Sequence, residues 1–516
     1  MTMQVLFIGN RSATVSLDTN EKYYLQKPWK LTLNQENAGE MQTAVHTIYG
    51  LWPDTEYHLE ATRDGEKEEV QFHTLCESVT MNVKDFGAAG DGNHLDSPAI
   101  QAAIQCCPPD GRVLIPAGTY RILPLFLKDH IRLEIAEGCE LKLDTDRNAF
   151  PVLPGMLQST DETKELNFGT WEGNPLDCFA ALITGMDVRD VIIYGKGILN
   201  GNASKANWWH DPKIRRIAWR GRLVFLCRCQ DVVIQGITLK NSPSWNLHPY
   251  FSNHLKFLNM VINAPADSPN TDGFDPESCK DLMMAGTHFS VGDDCIAIKS
   301  GKIYMGLTYG VPCEDLLISH CLMENGHGGV TIGSEMAGGV YHVSVRNCEM
   351  KNTDRGLRIK TRRGRGKNGR IDQIEFENVT MTNVRVPLAV NSMYYCDPDG
   401  HSPYVQSREP QEVDERTPSI GRIAMKNVTA SGVTCAGYVL GLPEQKVERI
   451  TLEHVSVSLD KDASPMQPIM ADDIPAVSRA GFCMENVQEL LMDDVQVSGK
   501  EEAIELLKTV DRIERT

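Results

Sequence analysis

The sequence predicts an all-β protein in which a parallel β-helix follows a small β-sandwich. Apolar runs of strand length recur between Val191 and Leu490 at intervals of 23 to 49 residues. Shorter apolar runs at 5–8, 13–17 and 70–74 precede this repeat. The segment 96–107 has apolar residues at helical spacing. A chain of 516 residues also exceeds what one ordinary core supports, so more than one unit or an elongated repeat is expected. The repeating runs begin at Val191, Val232, Leu255, Leu282, Leu316, Val343, Ile374, Ile423, Ile450 and Leu490.

Residues 1–77 are predicted to form the sandwich. Strands are predicted at 5–8, 13–17 and 70–74. The segment GLWPDTEY at 50–57 resembles the fibronectin type III signature before a late strand, with Tyr57 as the tyrosine of the corner. Because no aromatic platform for sugars is evident, a structural cap or a wall of a cleft is favoured over a carbohydrate-binding module.

Residues 78–516 are predicted to form the β-helix. VKDFGAAGDG at 83–92, the helical segment 96–107 and GRVLIPAGTY at 111–120 together resemble the beginning of right-handed parallel β-helices of the pectinase type, where the helix caps the open end. The short intervals approach one coil, and the long ones imply inserted loops. A leucine-rich horseshoe is the rival repeat, but the period is irregular and no regular helices alternate with the strands.

Charge and composition bound the partners. The chain has 51 Lys+Arg and 69 Asp+Glu, and the net charge of −18 argues against nucleic acid. The start lacks a basic region with a long apolar run, and no run of about 20 apolar residues occurs, so neither a signal peptide nor a membrane span is expected. The 15 cysteines, many in apolar runs, are expected to be free thiols in the cytoplasm. No cysteine or histidine spacing predicts a metal site, and no cofactor is expected.

Four short motifs carry the candidate chemistry. Carboxylates can donate and accept protons at a glycosidic bond, and Arg358 and Lys360 can hold an anionic sugar because alternate strand residues face one side. Two adjacent aspartates before an apolar run are costly if buried and unpaired, which predicts a cleft with shifted pKa values. Asp293 and Asp294 would share one role only if the strand bends. The motifs are NTDGFD at 270–275, GDDC at 292–295, GHG at 326–328 and RIK at 358–360.

This ordered set resembles glycoside hydrolase family 28, the polygalacturonases. The resemblance implies an inverting hydrolase of α-1,4-galacturonide bonds, with Asp293 as general acid and with Asp272 and Asp294 activating water. His327 would tune the acid, and acid and base would stand about 6.5–9.5 Å apart. GHGGVTIGSE at 326–335 and TDRGLRIK at 353–360 look most like bacterial exo-acting members, which carry a fibronectin-like domain in front and enclose one end of the groove.

Other residues near the motifs are predicted to touch the substrate. An oligogalacturonide or another pectin-derived oligosaccharide is the expected partner, with its uronate carboxylate on Arg358 and Lys360. The insertions before Val232 and Ile423 are expected to enclose the groove. Arg365 and Lys367 are predicted to lie on a solvated basic loop. The further predicted substrate contacts are Asn270, Lys299, Glu335, Tyr394 and His248.

Two alternatives remain open from the sequence. The same fold could hydrolyse rhamnogalacturonan or xylogalacturonan, because Arg358 and Lys360 favour a uronate without excluding these polymers. A non-catalytic β-helix that binds carbohydrate is the second alternative. The intact set of Asp272, Asp293, Asp294 and His327 weighs against it, since a binding protein has no need to retain these groups.

Overall fold

The computed structural model describes residues 2–18, 20–158, 165–499 and 506–516, which form a right-handed parallel β-helix with a small two-sheet unit in front. The short helices are Ser97–Cys106, Ile303–Thr308 and Pro403–Gln406, with 3-10 turns at Val83–Phe86 and Arg147–Ala149. None of the helices in these ranges is long and apolar enough to cross a membrane.

Three parallel sheets run along the coil, and we call the third the floor sheet because it lies under the candidate site. Sheet 1 comprises Thr80–Asn82, Arg112–Ile115, Ile131–Ile135, Arg189–Gly195, Gln230–Gln235, Asn253–Leu258, Lys280–Ala285, Cys313–Ser319, Val340–Arg346, Arg370–Thr382, Arg422–Val433, Val447–Leu459, Ala480–Ser498 and Leu506–Arg515. Sheet 2 comprises Asp91–Leu95, Gly118–Ile122, Cys139–Leu143, Ile198–Asn200, Thr238–Lys240, Val261–Asn263, His288–Ser290, Leu322–Glu324 and Glu349–Lys351. The floor sheet comprises Leu125–Phe126, Ile183–Met186, Val224–Cys227, Leu247–Tyr250, Ile296–Ile298, Val330–Ile332, Arg355–Lys360, Val386–Asn391 and Cys435–Leu440.

The predicted repeat is confirmed residue by residue in sheet 1. Each of the ten predicted starting positions pairs in register with the next, from Val191 opposite Val232 to Ile450 opposite Leu490. Their side chains are buried and stack into one apolar column along the axis. The apolar period therefore fixes the register, because a slip of one residue would turn every core side chain outward.

Leu282 lies in the middle of this column, between Leu255 and Leu316. Replacement by alanine leaves a cavity that rigid neighbouring coils fill only in part, so Leu282→Ala is expected to lower the free energy of unfolding by about 2–5 kcal/mol. Urea denaturation measures this change. Lys280→Ala, on the exposed side of the same strand, is the control and should stay within about 0.5 kcal/mol of the unchanged protein.

The predicted helix is confirmed as Ser97–Cys106. Ile100, Ala103 and Ile104 are buried against the first coils, in the same core as Val113 and Leu133. The helix contacts the short strand Leu125–Phe126 at the start of the floor sheet. It therefore covers the first coils, where apolar side chains would otherwise face water.

The N-terminal unit has two antiparallel sheets around its own apolar core. Its last strand ends at His73, and the first strand of the β-helix begins at Thr80, on either side of the predicted boundary. The strands are Thr2–Ile8, Ser12–Asp18 and Val45–Tyr49 in one sheet, with Tyr24–Leu33, Glu36–Thr43, Glu56–Arg63 and Glu66–His73 in the other.

This unit packs on sheet 1. The Thr14 hydroxyl donates to Gln235 Oε1 at 2.7 Å, and Lys256 Nζ donates to the Leu6 carbonyl at 3.0 Å. Both β-helix residues belong to sheet 1 strands, whereas the candidate site lies over the floor sheet. The unit supports the side of the coil here, so the predicted wall of the cleft does not match these contacts.

Candidate active site

Three carboxylates converge at one edge of the floor sheet. The chain bends at Gly292 and Asp293 before the strand Ile296–Ile298, so the two adjacent aspartates need not face opposite sides. Asp272 lies one coil earlier and in register with Asp294, since the Gly273 N–H donates to the Asp294 carbonyl at 3.0 Å. One oxygen of each of Asp272, Asp293 and Asp294 lies within 4.8 Å of the others.

This spacing is shorter than the sequence-based expectation. Acid and base were predicted about 6.5–9.5 Å apart. Because Asp272 and Asp294 occupy neighbouring parallel coils, the rise of about 4.8 Å per coil limits how far their carboxylates can separate. The distance alone therefore does not identify an inverting site, and stereochemistry has to be measured.

Asp294 is the anchored member of the cluster. Its side chain is buried, and its oxygens accept from Arg358 Nη1 at 3.1 Å and from Lys360 Nζ at 2.9 Å. Burial by itself would raise the pKa of Asp294, but Lys360 and Arg358 outweigh it and hold this pKa below its ordinary value. Asp294 is therefore ionised over the working pH range and cannot be the proton donor.

Asp272 has the opposite electrostatics. Burial raises its pKa well above the ordinary value, and the neighbouring charge of Asp293 raises it further. Asp293 is the most open of the three, with a quarter of its side chain exposed. Burial and the neighbouring carboxylates therefore favour the protonated form of Asp272.

His327 stands beside Asp293 on the next coil. Its Nδ1 lies 3.4 Å from Asp293 Oδ1, and its ring is about half exposed. The contact with Asp293 raises the pKa of His327. The flanking glycines are needed for this approach, because a Cβ on Gly326 would lie 2.8 Å from the Asp293 carbonyl oxygen, and one on Gly328 would lie 2.8 Å from Asp294 Oδ1.

Arg358 and Lys360 share one face of a floor strand, as the alternation predicts. Both are ion-paired to Asp294 and nearly buried. Tyr394 lies beside them, with its ring centre 5.5 Å from Lys360 Nζ, and Met470 Sδ lies 3.4 Å from Arg358 Nη2. The structure thus brings these cations to the acids, where a substrate carboxylate would have to share them with Asp294.

Asn270, Lys299 and Glu335 lie around the same cleft. The Asn270 side chain is partly exposed and its Oδ1 accepts from Arg220 Nη2 at 2.6 Å. Lys299 Nζ is 3.2 Å from Glu335 Oε2. Burial would raise the pKa of Glu335, but Lys299 and other cations hold it below its usual range. Lys299 and Glu335 are nearly buried, and the predicted substrate contacts of all three residues stay predictions.

The predicted contact of His248 with substrate is wrong. Its ring has no exposed surface, and its Nε2 lies 3.0 Å from Glu277 Oε2. Burial lowers the pKa of His248 well below its ordinary value. Trp245 and Phe225 pack on it, with ring centres 4.8 and 5.1 Å away, so no sugar can reach the imidazole.

The prediction that Arg365 is solvated is also wrong. Arg365 is buried, and its Nη1 pairs with Asp397 at 2.9 Å. The insertion before Ile423 folds back over the RIK strand and supplies this carboxylate. Lys367, two residues later, is exposed as predicted and pairs with Glu415.

Residues of the insertion before Val232 also reach the site, and no motif indicated them. Trp171 stacks between Trp219 and Trp245, with ring centres 4.8 and 6.2 Å away. Arg222 lies over the Trp171 and Trp245 rings at 5.4 and 5.1 Å. The available signal was a concentration of tryptophan and arginine in an otherwise acidic chain.

The aspartate cluster also has the donor atoms for a metal ion, as does the group His58, Glu60 and Glu69 on the N-terminal unit. In the aspartate cluster the oxygens of Asp294 already accept from two cations, which disfavours a third positive charge there. The expectation of a metal-free site stays a prediction.

Comparisons with known proteins agree with this geometry. The model of Glycosyl hydrolases family 28 matches residues 147–471, and a Rhamnogalacturonase A/epimerase, pectate lyase-like model matches residues 80–132. A probable polygalacturonase of Vitis vinifera is 29% identical over 413 residues, covering 78% of this chain and 79% of the relative.

Solved structures are also similar. A hyperthermoactive exopolygalacturonase from Thermotoga maritima has a TM-score of 0.66 and 27% identity, covering 82% of this chain and 92% of that one. A family 28 exopolygalacturonase of Yersinia enterocolitica has a TM-score of 0.71 over 100% of this chain and 98% of its own, but at 18% identity it shows the fold alone. Since the family model spans well over half of the chain and includes all four motifs, this protein belongs to glycosyl hydrolases family 28.

Proposed function

We propose that this protein hydrolyses α-1,4-galacturonide bonds of oligogalacturonides, from a chain end and with inversion at the anomeric carbon. The observation that carries the proposal is the charge order across the cleft. Asp294 is held ionised by Arg358 and Lys360, while Asp293 stands open beside His327. Acid, base and carboxylate-binding cations therefore meet at one place.

In this mechanism Asp293 gives its proton to the glycosidic oxygen, and the bond from that oxygen to the anomeric carbon breaks. A water on the opposite face forms the new bond to this carbon and gives its proton to the pair Asp272 and Asp294, of which Asp294 is held ionised by Arg358 and Lys360. Asp293 is assigned as the acid because it is the most exposed of the three carboxylates and lies beside His327. The uronate carboxylate next to the cut lies on Arg358 and Lys360.

The test is trigalacturonate without added metal, followed by proton NMR from the first minute. The β-anomer of the new reducing end should appear first and then equilibrate. The α-anomer as first product would reject inversion. Turnover of a rhamnogalacturonan or xylogalacturonan fragment with none of trigalacturonate would favour those substrates.

Action from a chain end is supported by the covered part of the floor sheet. Side chains that face outward from its strands are fully buried at His248 and Asp275, under Trp245 and Arg222. A long polymer could not lie across this covered part. The floor sheet is therefore covered on the N-terminal side of the acids.

His327 provides a pH test. Its raised pKa means that the imidazolium persists to higher pH, and its contribution is lost as pH rises through that pKa. We expect kcat/KM to decline on that alkaline side, and His327→Gln to lower its maximum by about 100-fold and remove this decline. His342→Gln is the matched control, since His342 pairs with Asp315 at 3.0 Å away from the cleft. If the alkaline limb of the kcat/KM profile were unchanged in His327→Gln, His327 would have no role in the pH dependence of catalysis.

We also propose that the N-terminal unit is of the fibronectin type III kind. Its sheets have three and four strands, and the Tyr57 hydroxyl accepts from the Trp52 N–H at 2.8 Å, which is the contact of a tyrosine corner.

We also propose that the protein is cytoplasmic, because its buried cysteines are free thiols. Cys295 and Cys348 are buried and free, as expected for a reducing compartment. Cell fractionation with an antibody tests the location.

A further inference from the structure

The segment 466–477, which we call the strap, lies over the floor sheet on the C-terminal side of the acids. Its ends pair with each other, because the Met466 N–H donates to the Val477 carbonyl at 3.0 Å and the Val477 N–H donates to the Met466 carbonyl at 2.9 Å. Between these ends, Ile469 is buried in the same apolar cluster as Ala389 of the floor sheet. The strap is therefore a packed part of the fold beside the RIK strand.

Hydrogen bonds fix the backbone of the strap to neighbouring side chains. Arg355 Nη2 donates to the Gln467 carbonyl at 3.0 Å, and Arg355 Nε donates to the Pro468 carbonyl at 3.2 Å. The side-chain amide of Asn391 donates to the Met470 carbonyl at 2.9 Å. Because the backbone is held at these points and methionine has three rotatable side-chain bonds, the Met470 side chain can move while the strap stays in place.

The Met470 side chain contacts the guanidinium of Arg358. Arg358 Nη1 donates to Asp294 Oδ1 at 3.1 Å, and Arg358 Nη2 donates to Met470 Sδ at 3.4 Å. A thioether sulfur is a weak acceptor, whereas an ionised carboxylate forms strong, charge-assisted hydrogen bonds with arginine. One terminal nitrogen of Arg358 is therefore held strongly and the other weakly.

The space around this contact is small and positively charged. A cavity of about 10 Å³ separates the strap from the RIK strand, which is room for about one water and too little for a carboxylate group. The polar or charged residues that line it, together with Met470, are Arg355, Arg358, Lys360, Asn391 and Tyr394. In the part of the chain that the structure describes, its three cations pair with two carboxylates, those of Asp294 and Asp354. A further anion is thus favoured here, and it reaches Arg358 Nη2 only by displacing the Met470 sulfur.

We propose that Met470 is a specificity-determining residue, whose sulfur occupies the second terminal nitrogen of Arg358 as a weak acceptor that a substrate carboxylate displaces. This inference rests on the proposed function and adds a residue that sets the affinity for the uronate. A sugar hydroxyl is a neutral acceptor, so it gains less than a carboxylate when it replaces the sulfur. The exchange therefore favours a uronate over a neutral sugar at this position.

A series of four side chains of similar size tests the acceptor at position 470 by steady-state kinetics on trigalacturonate. Met470→Gln supplies an amide oxygen, a stronger acceptor that the substrate has to displace, so KM should rise about tenfold while kcat stays within twofold. Met470→Glu supplies an ionised acceptor and should raise KM further. Met470→Leu has no acceptor, so its KM should equal that of the unchanged protein or be lower.

Met466→Gln is the matched control, because Met466 is the other methionine of the strap and packs in the apolar cluster of Ile469. It should leave KM within twofold. Thermal melting shows which variants are folded, and the order of KM among the folded variants decides the result.

The outcomes separate this inference from the proposed function. Equal KM values in Met470→Leu, Met470→Gln and Met470→Glu would reject the inference, because a packing role would affect all three variants alike. A fall in kcat with an unchanged KM would overturn it as well. In both cases the unchanged protein still cleaves trigalacturonate and the hydrolase function stands. If the unchanged protein cleaves no galacturonide, the proposed function fails and the inference fails with it.

Discussion

Replacement of Asp293 by asparagine is expected to lower kcat on trigalacturonate by about 100- to 10,000-fold, the range that a positioned acid contributes. Asparagine keeps the size and the polar contacts but has no proton to give to the glycosidic oxygen. Since Arg358 and Lys360 pair with Asp294 rather than with Asp293, the carboxylate-binding cations stay in place. Affinity for the trisaccharide, measured by calorimetry, should therefore change little.

Asp281→Asn is the matched control for this variant. Asp281 lies between the two aspartate motifs in sequence, but it belongs to sheet 1 and pairs with His254 on the outer surface. Its replacement should leave kcat within twofold. Full activity of Asp293→Asn would mean that Asp272, and not Asp293, is the proton donor. Loss of both turnover and binding would indicate a structural role for Asp293.

The sequence contains most of the fold because the fold is a local repeat. Each coil buries its own apolar side chains against the next, so the period alone places Leu282 opposite Leu316 and Ile374 opposite Ile423. The motif order likewise places Asp272 beside Asp294, since one coil separates them. The chain bends at Gly292, so Asp293 and Asp294 do not have to point to opposite faces of a strand.

Placement of the insertions could not be predicted in the same way. They have no period, and nothing local indicates that Trp171 and Arg222 lie over the floor sheet or that Asp397 reaches Arg365. The prediction for His248 fails because Trp245 and Phe225 cover its outward position on the strand.

The chain has a net negative charge although its substrate is an anion, and the cations that could bind this anion lie inside the cleft. Lys299 is matched by Glu335, Lys302 by Asp397 and Lys360 by Asp294, so the cations are present but largely compensated. A uronate carboxylate therefore gains affinity by fitting among fixed partners rather than by entering a field of free positive charge. Binding should depend on geometry more than on ionic strength, because buried pairs are weakly screened.

Lys360 pairs with Asp294 and is also proposed to bind the uronate carboxylate. Lys360→Met is therefore expected to lower kcat/KM by at least about 30-fold. Truncating one partner of a buried, hydrogen-bonded charge pair costs about 2–5 kcal/mol, and here the same ammonium serves Asp294 and the uronate. Without it, burial dominates and the pKa of Asp294 rises. The acidic limb of the kcat/KM profile should then move to higher pH.

Lys360→Met is also expected to lower the stability of the protein, and most strongly at neutral pH. In the unchanged protein Asp294 has a depressed pKa, so it contributes stability above its unfolded pKa of about 3.9, and this is lost as pH falls through the lower folded value. The difference in melting temperature between Lys360→Met and the unchanged protein should therefore be largest near pH 7 and shrink toward pH 3. Lys367→Met, at the exposed lysine of the same segment, should show neither effect. An unmoved acidic limb in Lys360→Met would mean that Arg358 alone keeps Asp294 ionised.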